Sequence, residues 1–107
     1  MDLGIILQTN DPGRVWNAFR LANTALEANH SVETFLLGDG VEAPDLSGGH
    51  VNPHGIMLKY VRNGGELLAC GTCLDYRNLE GGDLRPRATM EECLELVENA
   101  DEVLTIG

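Results

Sequence analysis

The stretch Glu66-Leu67-Leu68-Ala69-Cys70-Gly71-Thr72-Cys73 decides how this chain is read. A short apolar strand, Glu66 to Ala69, runs directly into two thiols separated by a glycine and a threonine. Open α/β folds build their sites at the carboxyl ends of sheet strands, and Cys70 falls at such an end. A thiol there is better placed for chemistry than one in the middle of a helix.

Outward from this stretch, strands and helices alternate. Leu3-Gly4-Ile5-Ile6-Leu7 is a continuous apolar run, as expected for a strand covered on both faces. Thr9-Asn10-Asp11 is a turn, and Asp11 is suited to cap a helix whose first residue is Pro12. Val15, Ala18, Phe19, Ala22 and Leu26 recur at helical spacing until Asn29 and His30 end the helix. A second strand, Val32 to Leu37, closes at Gly38-Asp39-Gly40. From Val41 to Val51, Pro44 and the Gly48-Gly49 pair without periodicity predict a loop. Asn52-Pro53 opens a short helix carrying Ile56, Met57, Tyr60 and Val61, and Asn63-Gly64-Gly65 stops it.

Beyond the thiols, Gly81-Gly82 and Pro86 make most of Leu74 to Ala88 a loop after one helical turn. Thr89 and Glu92 form a capping box for a last helix with a buried stripe of Met90, Cys93, Leu94 and Val97. Glu102 to Ile106 is the fourth strand. The alternation predicts a mostly parallel four-stranded sheet with right-handed crossovers, in the order 2-1-3-4. Its switch point would lie between strands one and three, so Cys70 and the Asn10-Asp11 turn would share one crevice. Asp39 and its flanking glycines would form the far wall.

A chain of 107 residues is expected to be one domain, residues 1–107, and its 5% aromatic content makes the core aliphatic. The first residues do not read as a signal peptide, and no apolar run is long enough to cross a membrane. A cytoplasmic protein without a membrane partner is expected. The formal net charge of -10 argues against nucleic acid as a surface partner. Charge is unevenly spread: no basic residue follows Arg87, whereas Arg77, Arg85 and Arg87 balance Asp75, Glu80 and Asp83. The thiols therefore lie in the least acidic part of the second half.

Four readings of Cys70 and Cys73 compete. They are two inert buried residues, two ligands of a structural zinc, a thioredoxin-like dithiol, or a nucleophile that carries sulfur as a persulfide. Zinc lacks a second close pair, because only Cys93 and scattered histidines remain. A thioredoxin-like motif would open the helix after the first strand, not after the third. The persulfide reading needs a stabilised thiolate, for which Gly71 allows close backbone approach and the Thr72 hydroxyl is a donor. Arg77, Arg85 and Arg87 are the candidate cations, and no histidine is close in sequence. Asp11 and Asp39 also read simply as a helix cap and a turn residue.

The chain resembles the DsrE/DsrF-like family, which includes the sulfur-relay subunit TusD. The similarity lies in Gly4-Ile5-Ile6-Leu7, in Leu36-Leu37-Gly38-Asp39-Gly40-Val41, and in the third strand entering Cys70. Ala69 to Tyr76 and Ala100 to Ile106 are most similar to the DsrE-like domain of YedF-type selenium-metabolism proteins. The resemblance implies a flavodoxin-like three-layer α/β fold and assembly into homotrimers or hexamers. It also implies that Cys70 accepts a persulfide from a small donor, such as a TusA-like sulfur-carrier protein. Cys73 has no counterpart in the sulfur-relay members, and its role as resolving thiol is inferred from its spacing. No cofactor and no metal are expected. The alternatives are a non-catalytic module that binds a small anion or a partner, and a thiol-disulfide oxidoreductase. The expected site is thus Cys70 and Cys73, with Asn10, Asp11, Asp39, Gly71 and Thr72 around them.

Overall fold

A computed structural model describes residues 1–47 and 49–107; Gly48, within the expected glycine-containing loop, lies outside the described residues. The elements follow in the order β1 (Asp2–Leu7), α1 (Pro12–Glu27), β2 (Ser31–Leu36), a 3-10 helix (Gly38–Asp45) and α2 (Pro53–Arg62). Then come β3 (Glu66–Cys70), α3 (Gly71–Tyr76), β4 (Arg87–Ala88), α4 (Met90–Asn99) and β5 (Glu102–Ile106). Asp11 caps α1 by accepting from the Arg14 amide at 2.9 Å, and Asn52 caps α2 by accepting from the Gly55 amide at 3.0 Å. The Thr89–Glu92 capping box is formed.

The sheet is parallel throughout, with five strands in the order β4-β3-β2-β1-β5. This corrects the expected four strands and the expected order 2-1-3-4. Strands β1, β2 and β3 are successive neighbours, so their right-handed crossovers stack α1 and α2 together on one face. The chain then returns through α4 to the far side of β1, which lays α4 on the opposite face. The reversal of strand order therefore falls between β1 and β5, not between β1 and β3. Residue order alone does not encode which neighbour a strand selects.

Two further expectations change. The segment after β2 is helical from Gly38 to Asp45, not loop, and Arg87-Ala88 forms a strand too short for any periodicity. In α4 the sheet buries Cys93 and Leu96, while Met90, Leu94 and Val97 are left exposed. The apolar arc of α4 is roughly 160° wide at about 100° per residue, and the sheet covers only one edge of it.

The core between the sheet and α1–α2 is aliphatic, with Leu3, Ile5, Leu7, Val15 and Leu36 buried, and Phe19 and Tyr60 meet edge to face at 5.2 Å. Tyr60 has no exposed surface, yet its hydroxyl is satisfied. It donates toward the carbonyls of Glu66 (2.6 Å) and Val32 (3.1 Å) and meets the Thr34 hydroxyl at 3.1 Å. One side chain of α2 thus pins β2 to β3 at the strand that leads to Cys70. Burial holds this phenol far above its ordinary range, so it stays a donor. Tyr60→Phe is expected to cost about 1–3 kcal/mol by orphaning buried acceptors, read from the midpoint shift in urea unfolding. A variant as stable as wild type would contradict this role.

Candidate functional site

No residue separates β3 from α3: Cys70 ends the strand and occupies the N-cap of the helix. The strand thereby fixes the backbone that carries the thiol. Short β4 pairs alongside, with Arg87 in register with Ala69 and Ala88 with Cys70, and the Ala69 amide donates to the Pro86 carbonyl at 2.8 Å. This pairing carries Arg87 to the thiol. A Cβ on Gly71 would meet the Arg87 guanidinium carbon at 3.2 Å, so glycine there leaves the arginine room.

Cys70 is 4% exposed, but it is not sealed. It lines a cavity of about 520 Å³ together with Gly71, Thr72, Arg87, Thr89 and Met90. The cavity opens at the carboxyl ends of β3 and β4, between the starts of α3 and α4. Both nitrogens of the Arg87 fork donate to Asp75, at 2.9 and 2.6 Å, which fixes the guanidinium. The Asp75 hydrogen bond raises the Arg87 pKa first, and the charge of Cys70 adds to it.

Cys73 meets the Cys70 thiol on one side and the 3-10 helix on the other. Its sulfur accepts from the Gly38 amide at 3.3 Å. Burial pushes this thiol above its ordinary range and the neighbouring Cys70 adds to the rise, while the Gly38 amide and the Arg77 charge pull it back. Arg77 reaches from α3 to Asp39 at 2.7 Å and to Glu42 at 3.0 Å, tying the 3-10 helix to the helix that carries the thiols. Asp39 is thus linked to the thiol-bearing helix through Arg77. Arg85 is drawn away to Asp45, at 2.7 Å, and to the Val41 carbonyl.

The structure groups Cys70, Gly71 and Thr72 around one cavity and places Cys73 and Asp39 on its other flank. Asn10 and Asp11 are not brought in. They follow β1, and β2 lies between β1 and β3. The glycine-flanked Asp39 turn crosses the gap, close enough that a Cβ on Gly40 would strike the Leu7 carbonyl. The single crevice expected at strands one and three is thus replaced by one at β3 and β4. Thr89 and Met90 belong to its wall, which no local signal in the sequence marks. Among the described residues no three side chains of His, Cys, Asp or Glu are placed to hold a metal ion, so the zinc reading has no ligand set. A second cavity, of about 410 Å³, lies at the amino end of the sheet beside Asp2, His30, Glu33 and Glu66, away from the thiols.

The family model described as the DsrE/DsrF-like family matches residues 1–106. The chain belongs to the DsrE/DsrF-like family. It is 31% identical over 103 residues to an uncharacterized protein of Methanopyrus kandleri, MK0008, a match covering 85% of this chain and 80% of that one. The fold is that of the ychN protein from E. coli, with a TM-score of 0.87 at 24% identity over 98% of both chains. It is also that of a conserved protein of unknown function from Bacteroides thetaiotaomicron, BT1422, with a TM-score of 0.80 at 17% identity over 98% of this chain and 94% of that one. The DsrE/DsrF-like family is associated with sulfur relay in general. No helix among the described residues is long and apolar enough to cross a membrane.

The environment of Cys73 has a measurable consequence. Because its folded pKa is raised, its contribution to stability is complete below the unfolded thiol value and fades as pH climbs through the folded one. Alkylation of Cys73 against pH, followed by peptide mass spectrometry, should show a midpoint above the free-thiol value of about 8.5. Cys70→Ser should bring that midpoint down. A wild-type midpoint at or below the free-thiol value would refute this account.

Proposed function

We propose that this protein relays sulfur as a persulfide on Cys70, with Cys73 as the resolving thiol. The observation that carries the reading is Cys70 lining a cavity at the carboxyl end of the sheet, with Arg87 in the same wall and held by Asp75. In the loading step the Cys70 thiolate attacks the outer sulfur of a donor persulfide. A new S–S bond forms on Cys70, the donor S–S bond breaks, and the donor thiolate leaves with the electron pair. Arg87 stabilises the attacking anion and then the terminal sulfur of the product, while the Thr72 hydroxyl and the Gly71 backbone line the space this sulfur enters.

Two routes discharge the persulfide. An acceptor thiolate takes the outer sulfur and returns Cys70 to a thiolate. Otherwise Cys73 attacks the inner sulfur and expels hydrosulfide, which leaves a Cys70–Cys73 disulfide for an external thiol to reduce. The raised pKa of Cys73 suits the second position, because it withholds that thiol from the loading step. A TusA-like carrier is the partner this reading requires as donor. The thiol-disulfide reading draws on the same contact between Cys70 and Cys73, and differs in taking up no sulfur.

The test is intact mass after incubating the reduced protein with a cysteine desulfurase and cysteine, with and without a carrier protein. Wild type should gain one sulfur atom, Cys73→Ala should retain it longer, and Cys70→Ala should gain none. Arg87→Ala should load about tenfold more slowly or worse, the scale of losing one charge-assisted contact to the anion. Disulfide formation without sulfur uptake under any donor would favour the oxidoreductase. An adduct carried by Cys73 would overturn the assignment.

A further inference from the structure

The charge balance at the Cys70 cavity differs from the balance that the linear sequence shows around the thiols. All three arginines of the second half are taken up by carboxylates. Arg77 is held by Asp39 and Glu42, Arg85 by Asp45, and Arg87 by both oxygens of Asp75. The pairing of β4 with β3 then brings the start of the acidic helix α4 against the same cavity, so that Glu91 joins its lining. Glu92 is engaged in the capping box with Thr89. Glu91 has no such tie, and among the described residues no cation lies within ion-pair distance of it. The lining thus holds one compensated cation and one uncompensated carboxylate.

Cys70 is 4% exposed, so a reagent reaches its sulfur only by entering the cavity. At about 520 Å³ this space is on the scale of a small-molecule site. Met90 offers a short alkyl chain an apolar wall, while Glu91, which is exposed, stands at the rim. In a confined space with apolar walls, charges act on one another more strongly than in open water. A persulfide on Cys70 adds a further negative charge at the floor. A mercaptocarboxylate entering this cavity meets two like charges. An aminothiol presents its sulfur to the floor and its ammonium to the rim, where the charge is opposite.

We infer that Glu91 selects the acceptor of the sulfur, and that this acceptor is a low-molecular-weight aminothiol whose protonated amine pairs with Glu91. The identity of the reaction rests on the persulfide reading, whereas the charge selection rests on the cavity alone. In the transfer the acceptor thiol loses its proton to solvent, and its thiolate attacks the outer sulfur of the Cys70 persulfide. A new S–S bond forms on the acceptor, the S–S bond to Cys70 breaks, and Cys70 leaves as a thiolate with the electron pair. The amine stays protonated throughout. Glu91 takes no part in bond making, so it determines specificity without being a catalytic residue.

Two measurements test this separately. The first needs no persulfide: in the Cys73→Ala chain, Cys70 is modified by a trimethylammonium or a sulfonate methanethiosulfonate, and the adduct is located by peptide mass spectrometry. With each rate divided by that of a neutral free thiol, the cationic reagent should lead by at least about fivefold at low salt. Salt of about 1 M should shrink the lead. Glu91→Gln should remove most of it and Glu91→Lys should reverse it, with circular dichroism verifying the fold of both variants. The second measures discharge of sulfur-loaded wild type to cysteamine and to 3-mercaptopropionate, each rate divided by that toward a small free persulfide. Cysteamine should be preferred, and Glu91→Gln should level the two. Equal normalised rates, or a preference that Glu91→Gln leaves intact, would overturn the inference while sulfur loading still upholds the persulfide reading. A chain that shows the reagent preference but takes up no sulfur would sink that reading, and the acceptor role with it.

Discussion

The site depends on one constraint: β3 passes into α3 without a connecting residue. Strand geometry positions Cys70 from one side and helix geometry from the other, so no flexible loop lies between the sheet and the thiol. Tyr60 then ties β3 to β2 from below, and two residues of β4 suffice to deliver Arg87. Ion pairs as exposed as Arg87–Asp75 contribute little to stability. The value of this one is positional, since a bidentate fork holds the guanidinium where a freely rotating side chain would not stay.

The fold gives the two thiols different surroundings. A neutral thiol is a small apolar group and is buried at little cost, whereas a thiolate needs compensation. Cys70 shares its cavity with Arg87, whose guanidinium is fixed by Asp75. Cys73 has a single amide donor and the more distant Arg77, which do not offset its burial. Two cysteines separated by a glycine and a threonine are thus made unequal by the strand order around them, which sets β4 against one and the end of β2 against the other.

What could be read from residues alone was local. Caps at Asp11, Asn52 and Thr89, the period of α1, and the run from Glu66 into Cys70 declare themselves through short-range rules, and each element is present. Strand order is not local, and a strand such as Val32 to Leu37 pairs equally well on either side of β1. That gap misplaced Asn10 and Asp11 beside the thiols and hid the role of β4, which is too short to show a period. The stripe of α4 failed for a related reason. Periodicity marks Met90, Leu94 and Val97 as apolar, but whether a sheet or another molecule covers them is decided by the rest of the fold.

The same helix joins access to the thiol with the electrostatics of the surface. Its capping box holds the start of α4 in place from within the chain, so the cavity wall formed by Thr89, Met90 and Glu91 exists in the single chain. Glu91 makes that wall repulsive to a free anion, and the remaining carboxylates of α4 extend the repulsion outward. The charge at this rim therefore disfavours the approach of small anions and favours cations or basic surfaces.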